Sequence, residues 1–415
     1  MLLDSPSNRA IIDCARAIGI VLVICFHVVV GLTAVLPVDS LPQYVAALPG
    51  VLNIAWQALG SEIVFLFSGF LLAYLLLREL LQTGQIDMLD YYVRRMSRIV
   101  PLYLIGLALY AFTTDFTLFE LLLNLLFVSK LFNAKTIIPV GWSLEVLAQT
   151  FLLLPVVVLM LMRSRRPVTI VLVAIVLSVG ARYVALIGDP ESYRTPIYSF
   201  FAGISTPETL RDLYYHLGYR ATPFLLGFLL AFLVLHKERF LLRLFARRGA
   251  AFILMATSVI IIIATGFLPI QDAHSMLYAL TTDDFWLWFW TLQRFIFSLG
   301  LCGLTLCLWY GRSRLLAPLV WIANRDLWRV IAVNIYSIYL FHPVFLIPAA
   351  VIAFRTTSRD AVGDVHVLEV AATMLVATVL SVLFAMLLTR FVEGPARHRI
   401  QAFYRSSRKT PINPE

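Results

Sequence analysis

Charge is scarce in this sequence. Of its 415 residues only 14% are charged, where a soluble domain carries about 25%. That shortage excludes an ordinary water-exposed surface wrapped around a soluble core. Cysteine is nearly absent. Cys14, Cys25, Cys302 and Cys307 form no CxxC pair and no Cys/His cluster, so neither a disulfide framework nor a metal site is expected. No internal repeat of the kind that marks many transporters is visible. No soluble domain is expected beside the apolar region. No small-x-small cleavage site follows the first apolar run, and Asp4 and Asp13 stand at its start, so a cleaved signal is not expected either.

What the sequence does hold is apolar. Hydrophobic residues make up 60% of it, against about 45–50% in soluble domains, and the excess must face lipid. A spanning helix needs about 20 mostly apolar residues. Such stretches lie at 10–35, 59–80, 99–115, 141–162, 168–187, 218–236, 249–268, 286–309, 329–352 and 368–390. A membrane barrel would instead show short alternating strands. The expected fold is all-α, a polytopic integral membrane bundle of about ten transmembrane helices. One transmembrane domain is expected over 1–400, followed by a basic, disordered cytoplasmic tail over 401–415.

Orientation follows from the basic residues. Clusters such as Arg94-Arg95-Met96-Ser97-Arg98 and Arg163-Ser164-Arg165-Arg166 fall in alternate loops, whereas Asp272, Asp283, Asp284, Asp360 and Asp364 fall in the others. Short basic loops stay inside. With an even number of spans, both termini are expected to be cytoplasmic in a multi-pass protein of the cell inner membrane. The same anchoring accounts for the net charge of +9, so no nucleic-acid partner is expected.

Ionisable groups inside spans are costly and mark function. In the first span Arg16 and His27 stand eleven residues apart. At about 100° per residue they share one face, about 16 Å apart along the axis. Singly, Arg16 reads also as a snorkelling interface residue and His27 as a helix–helix hydrogen bond. Ser68-Gly69 of the second span reads also as a small-residue packing point. Arg94, Arg95 and Arg98 enter the third span, where guanidinium forks suit a phosphorylated ligand and equally suit positive-inside anchoring. Trp142-Ser143-Leu144-Glu145 opens the fourth span, with Glu145 either functional or solvated. In the ninth, Tyr339 and His342 have a same-face spacing, and Pro343 is expected to kink the helix beside His342. Glu393 has Arg390 three residues before it as a possible ion-pair partner.

These pieces, in order, resemble the membrane-bound acyltransferase-3 family, the integral-membrane O-acetylases of cell-surface and secreted carbohydrates. The matching elements are Asp13-x-x-Arg16 with His27, Phe65-Leu66-Phe67-Ser68-Gly69-Phe70, and Arg94-Arg95-x-x-Arg98-Ile99-x-Pro101-x-Tyr103. Trp142-Ser143-Leu144-Glu145-Val146 follows, then Phe151-Leu152-Leu153-x-Pro155, and Tyr219-Arg220-x-x-Pro223-Phe224 leading to Gly227. Tyr336-Ser337-Ile338-Tyr339-Leu340-Phe341-His342-Pro343 and Glu393-x-Pro395 complete the set. Two departures stand out. Leu147 occupies a position where many members carry a second acid, and Ala17 stands where glycine is usual.

The resemblance implies acetyl-CoA, or another acyl-CoA, as donor, with no metal, and a carbohydrate or glycolipid as acceptor in the bilayer. Arg16, Arg94, Arg95 and Arg98 are then expected to hold the CoA phosphates. His27 is expected as general base on the acceptor hydroxyl, since imidazole titrates near neutrality. Glu145 or Tyr339 would orient it. Ser68, Ser143, Tyr339 or His342 would meet the oxyanion. Acceptor choice falls to the loops 188–217 and 269–285, the first rich in aromatics (Tyr193, Tyr198, Phe200, Phe201, Tyr214, Tyr215). A transporter or flippase of a lipid-linked sugar is the rival reading. It would be equally polytopic and basic inside, but it needs no arginine cluster sharing a face with a histidine.

Overall fold

The computed structural model describes residues 2–33, 57–194, 208–268, 276–311, 313–355 and 366–409. Its regular elements are all helical, with no strand among the described residues. The long helices are α1 (Pro6–Thr33), α2 (Gly60–Thr83), α3 (Met88–Ala111), α4 (Gly141–Arg163) and α5 (Pro167–Ile187). They continue as α6 (Leu217–His236), α7 (Arg248–Gly266), α8 (Asp283–Tyr310), α9 (Ile335–Phe341) and α10 (Val367–Leu388).

Among the described residues, nine helical stretches are long and apolar enough to cross a bilayer. Helix α3 holds the place of the tenth expected span and is not one of them. Its first turns carry Asp90, Arg94, Arg95 and Arg98, which leaves an apolar part at 99–111. That part is about 20 Å long at 1.5 Å per residue, short of the roughly 30 Å of a hydrocarbon core.

Large apolar side chains face outward on the outer helices. Val176 and Leu177 of α5 are 68% and 67% exposed, and Ile253 of α7 is 66% exposed. In water such a surface would drive aggregation; in a bilayer it is the solvated face. The polar groups instead gather along the inner faces of α1, α2, α4, α6, α8 and α9.

Two local devices position the site. Helix α2 stops at Gly84, which adopts φ 74°, a left-handed conformation that suits a residue without a Cβ. Asp87 then caps α3 by accepting from Asp90 N at 3.0 Å. This short hairpin sets the arginines of α3 beside the end of α2.

The second device is a glycine contact between α2 and α6. A Cβ on Gly69 would lie 2.9 Å from Phe224 Cα, and one on Gly227 would lie 2.6 Å from Phe70 N. Only backbone-to-backbone packing fits there, as the small-residue reading of Ser68-Gly69 expects. Gly227→Ala is therefore expected to lower stability by about 1–3 kcal/mol. A reduced thermal unfolding midpoint of the detergent-solubilised protein would show it. An unchanged midpoint would mean that α2 and α6 are free to separate.

The ninth span is broken where Pro343 predicts a kink. Helix α9 ends at Phe341, a 3-10 turn covers His342–Phe345, and a further helix runs over Leu346–Phe354. A π turn at Thr389–Glu393 follows α10. The basic segment expected as a disordered tail from 401 is instead helical to Lys409, within Gly394–Lys409. Gln401 Nε2 donates to Ser97 Oγ at 3.1 Å and pins this helix to α3. Of the loops assigned to acceptor choice, residues 195–207 and 269–275 lie outside the described residues, with Tyr198, Phe200 and Phe201 among them.

Candidate active site

Helix α1 and the broken ninth span bring the two intramembrane histidines together. His342 Nε2 lies 3.1 Å from His27 Nδ1, and the ring centroids are 4.8 Å apart. His27 Nδ1 also faces Val23 O at 2.8 Å, and His342 Nδ1 faces Tyr339 O at 2.8 Å. A carbonyl oxygen only accepts, so each Nδ1 must carry the hydrogen. The hydrogen on His27 Nδ1 is then shared between Val23 O and the lone pair of His342 Nε2. This leaves His27 Nε2 with its lone pair and no partner among the described residues. His342 is fully buried and sits behind His27, holding its ring rather than facing the cavity.

In front of the histidines lies a narrow crevice lined by Val23, His27, Ala58, Gly60, Ser61, Trp142, Tyr214 and Tyr339, among others. A larger cavity of about 290 Å³ adjoins it and shares Val23, Ser61 and Tyr339 with it. Its other end is lined by Arg16, Arg95 and Arg98, and its middle by Leu71, Leu72, Leu75, Leu144, Leu147, Ala148 and Phe151. The cavity thus runs from a cationic end to the wall that it shares with the His27 crevice.

The arginines differ in how far they are already engaged. Arg16 makes no ion pair or hydrogen bond among the described residues, and its Nε is buried without a partner. Arg95 stacks over the Tyr91 ring at 5.7 Å and its Nε is likewise unpartnered. Arg98 Nε is 3.2 Å from Glu393 Oε1, and its Nη2 donates to Val333 O at 3.1 Å. Glu393 accepts from Ser337 Oγ at 3.1 Å as well, so its ion-pair partner is Arg98 of α3 and not the neighbouring Arg390. The π turn swings Glu393 inward to reach it. Arg94 is exposed and pairs with Asp90 and Glu79. It does not line the cavity.

The other expected site residues divide the same way. Ser143 and Tyr339 join through their hydroxyls, and both line the cavity. Ser68 lines it too, but part-way along. Glu145 does not reach the histidines. It is buried on another face of α4 and accepts from Ser129 Oγ and from Lys130 N at 2.9 Å. Its work is to pin the turn Ser129–Phe132. Leu147, in the place where the resemblance puts a second acid, does face the cavity. Among the described residues no carboxylate lines the cavity or the crevice, and His342 and Val23 O hold His27 instead.

Sequence reasoning passed over a buried charge cluster. Glu62 Oε1 lies 2.9 Å from Arg220 Nη1 and 2.6 Å from Arg294 Nη1. Arg182 donates from Nη1 to Leu213 O at 3.4 Å and Tyr219 O at 3.3 Å, and from Nη2 to Trp290 O at 2.6 Å. The signal was there, since each is an ionisable residue within an apolar span. Arg220 belongs to the Tyr219-Arg220-x-x-Pro223-Phe224 element, while Arg182 and Arg294 stand outside every element quoted above.

Fold and site define a polytopic membrane protein whose internal cavity leads from cations to the wall of a histidine crevice. A family model described as an acyltransferase domain, that of the acyltransferase-3 family, matches residues 9–390. The chain belongs to that family. It is 30% identical over 166 residues to proteins named O-acetyltransferase OatA of Staphylococcus aureus, strains NCTC 8325 / PS 47 and COL, over 31% of this chain and 27% of each relative. The match thus spans about a quarter of the length of those relatives. No solved structure matches the chain.

Proposed function

We propose that this protein is a membrane O-acyltransferase that moves an acetyl group from cytosolic acetyl-CoA to a hydroxyl of a cell-surface or exported carbohydrate or glycolipid. The observation that carries the reading is a cavity with Arg16, Arg95 and Arg98 at one end and the wall of the His27 crevice at the other. Family membership supports acyl transfer, and the name of the relatives supports O-acetylation. In this reading the basic loops are cytoplasmic, in the inner membrane. The arginines grip the phosphates of CoA, because guanidinium forks match phosphate oxygens. The pantetheine arm follows the apolar middle of the cavity and brings the thioester to His27, about 16 Å from Arg16 along α1.

The transfer balances with one base. His27 Nε2 takes the proton of the acceptor hydroxyl as its oxygen bonds to the thioester carbon. The carbonyl electrons move to oxygen, and Tyr339 and Ser143 donate to the resulting oxyanion. The positive charge on His27 is shared through Nδ1–H with His342 Nε2 and Val23 O. The intermediate collapses, the C–S bond breaks, and sulfur leaves with the electron pair and takes the proton from His27 Nε2. The products are the acetyl ester and free CoA.

Incubating the purified protein with acyl-labelled acetyl-CoA tests the reading. CoA binding without label on the protein is the expected result for direct transfer; label that stays on the protein shows acyl transfer through a covalent relay. Absence of both CoA binding and label would overturn the reading in favour of a transporter.

A further inference from the structure

The buried cluster of Glu62, Arg220, Arg294 and Arg182 holds three cations against one anion, and the acyl-transfer step uses none of them. The Glu62 and Arg220 side chains are 0% exposed and that of Arg294 is 6% exposed. Stability does not account for such a group, because apolar residues of similar volume commonly replace buried ion triads without loss. Its contacts give a better account. Arg220 Nη2 donates to Ser61 Oγ at 2.7 Å. The Arg220 guanidinium also lies 5.3–5.4 Å from the rings of Phe65, Trp142 and Tyr214. Ser61, Trp142 and Tyr214 are walls of the His27 crevice. Ser61 stands at the start of α2 and Trp142 at the start of α4, so the positive ends of two helix dipoles meet there as well.

We infer that Ser61 is a hydrogen-bond donor to the oxyanion of the acyl-transfer step, and that Arg220, clamped by Glu62, is the positioning residue that holds it. This rests on the acyl-transfer reading and extends it to residues outside the histidine pair. The Ser61 hydroxyl now gives its hydrogen to Ala58 O at 3.0 Å. Rotation about Cβ–Oγ turns that hydrogen into the crevice while the oxygen stays on Arg220. The arginine's donation polarises the hydroxyl and strengthens it as a donor. Only a planar fork reaches Ser61 and Glu62 at once; a lysine ammonium on the same stem does not reproduce it.

The test compares Ser61→Ala, Arg220→Lys and their combination with wild type and His27→Ala. Release of free CoA from acetyl-CoA is followed in native membranes that contain the acceptor. Each single variant is expected to lose about 10²-fold in kcat, the usual effect of removing one oxyanion donor, with the KM for acetyl-CoA unchanged. The combination is expected to lose no more than the worse single variant, because the two residues act as one unit. Ser61→Thr, which keeps the hydroxyl, is expected to restore turnover. Wild-type kcat in Ser61→Ala, or losses that multiply in the combination, would overturn the inference. Should Arg220→Lys not fold, Ser61→Ala decides alone, since it removes a single hydroxyl. An inactive His27→Ala beside a fully active Ser61→Ala sinks only this inference; full activity in both also removes His27 as the base, and no CoA release by wild type sinks the acyl-transfer reading.

Discussion

His27→Ala is expected to lower acetyl-CoA turnover by about 10³-fold, within the usual range for a general base, and to leave the protein folded. The argument rests on hydrogens. Two backbone carbonyls fix both Nδ1 atoms as donors, so His27 Nε2 is the nitrogen left to accept a proton. Nothing among the described residues competes for it. His342→Ala is expected to cost less, about 10-fold, because Val23 O still holds the His27 ring when the second imidazole is gone. The order matters more than the sizes. If His342→Ala were the more severe variant, His342 and not His27 would be the base. Release of free CoA in native membranes measures both, and the yield of monodisperse protein in detergent reports folding.

The second large effect concerns the donor end of the cavity. Arg16→Ala and Arg95→Ala are each expected to raise the KM for acetyl-CoA by about 10–100-fold, the equivalent of one charged hydrogen bond. Both carry a buried Nε without a partner and line the cavity. Arg94→Ala is expected to leave KM unchanged, since Arg94 points away and is engaged by Asp90 and Glu79. Arg98→Ala is expected to act on stability as well, because it strands the buried carboxylate of Glu393. Equal KM values for wild type, Arg16→Ala and Arg95→Ala would remove the cationic end from donor binding.

Much of this could be read in the sequence, and the parts that could not share a cause. The shared face of Arg16 and His27 follows from the helical period alone; in the structure Arg16 lines the cavity and His27 the crevice that adjoins it. The break at Pro343 follows from a missing N–H. What failed required knowing which face of a helix packs inward. Glu145 and Leu147 stand two residues apart, about 200° around α4, and only the bundle decides which of them meets the cavity. The partner of Glu393 is Arg98 on α3 and not Arg390, three residues away in the chain. Residues 401–409 look too polar to fold, yet a single packed face on α3 orders them. The charge cluster was hidden for the same reason, because its members are far apart in the chain.

That distance has a consequence for how the bundle comes together. Glu62 enters the membrane with α2, and Arg294 follows on α8, 232 residues later. Leaving one member of such a buried pair unmatched costs about 3–5 kcal/mol, so α2 cannot settle against its final neighbours while the chain is still being made. The N-terminal helices are expected to stay loosely associated until α6 and α8 deliver their arginines. The bundle is then expected to lock in one late step, and a chain cut short before α6 carries its own mark of incompleteness in an acid without a partner.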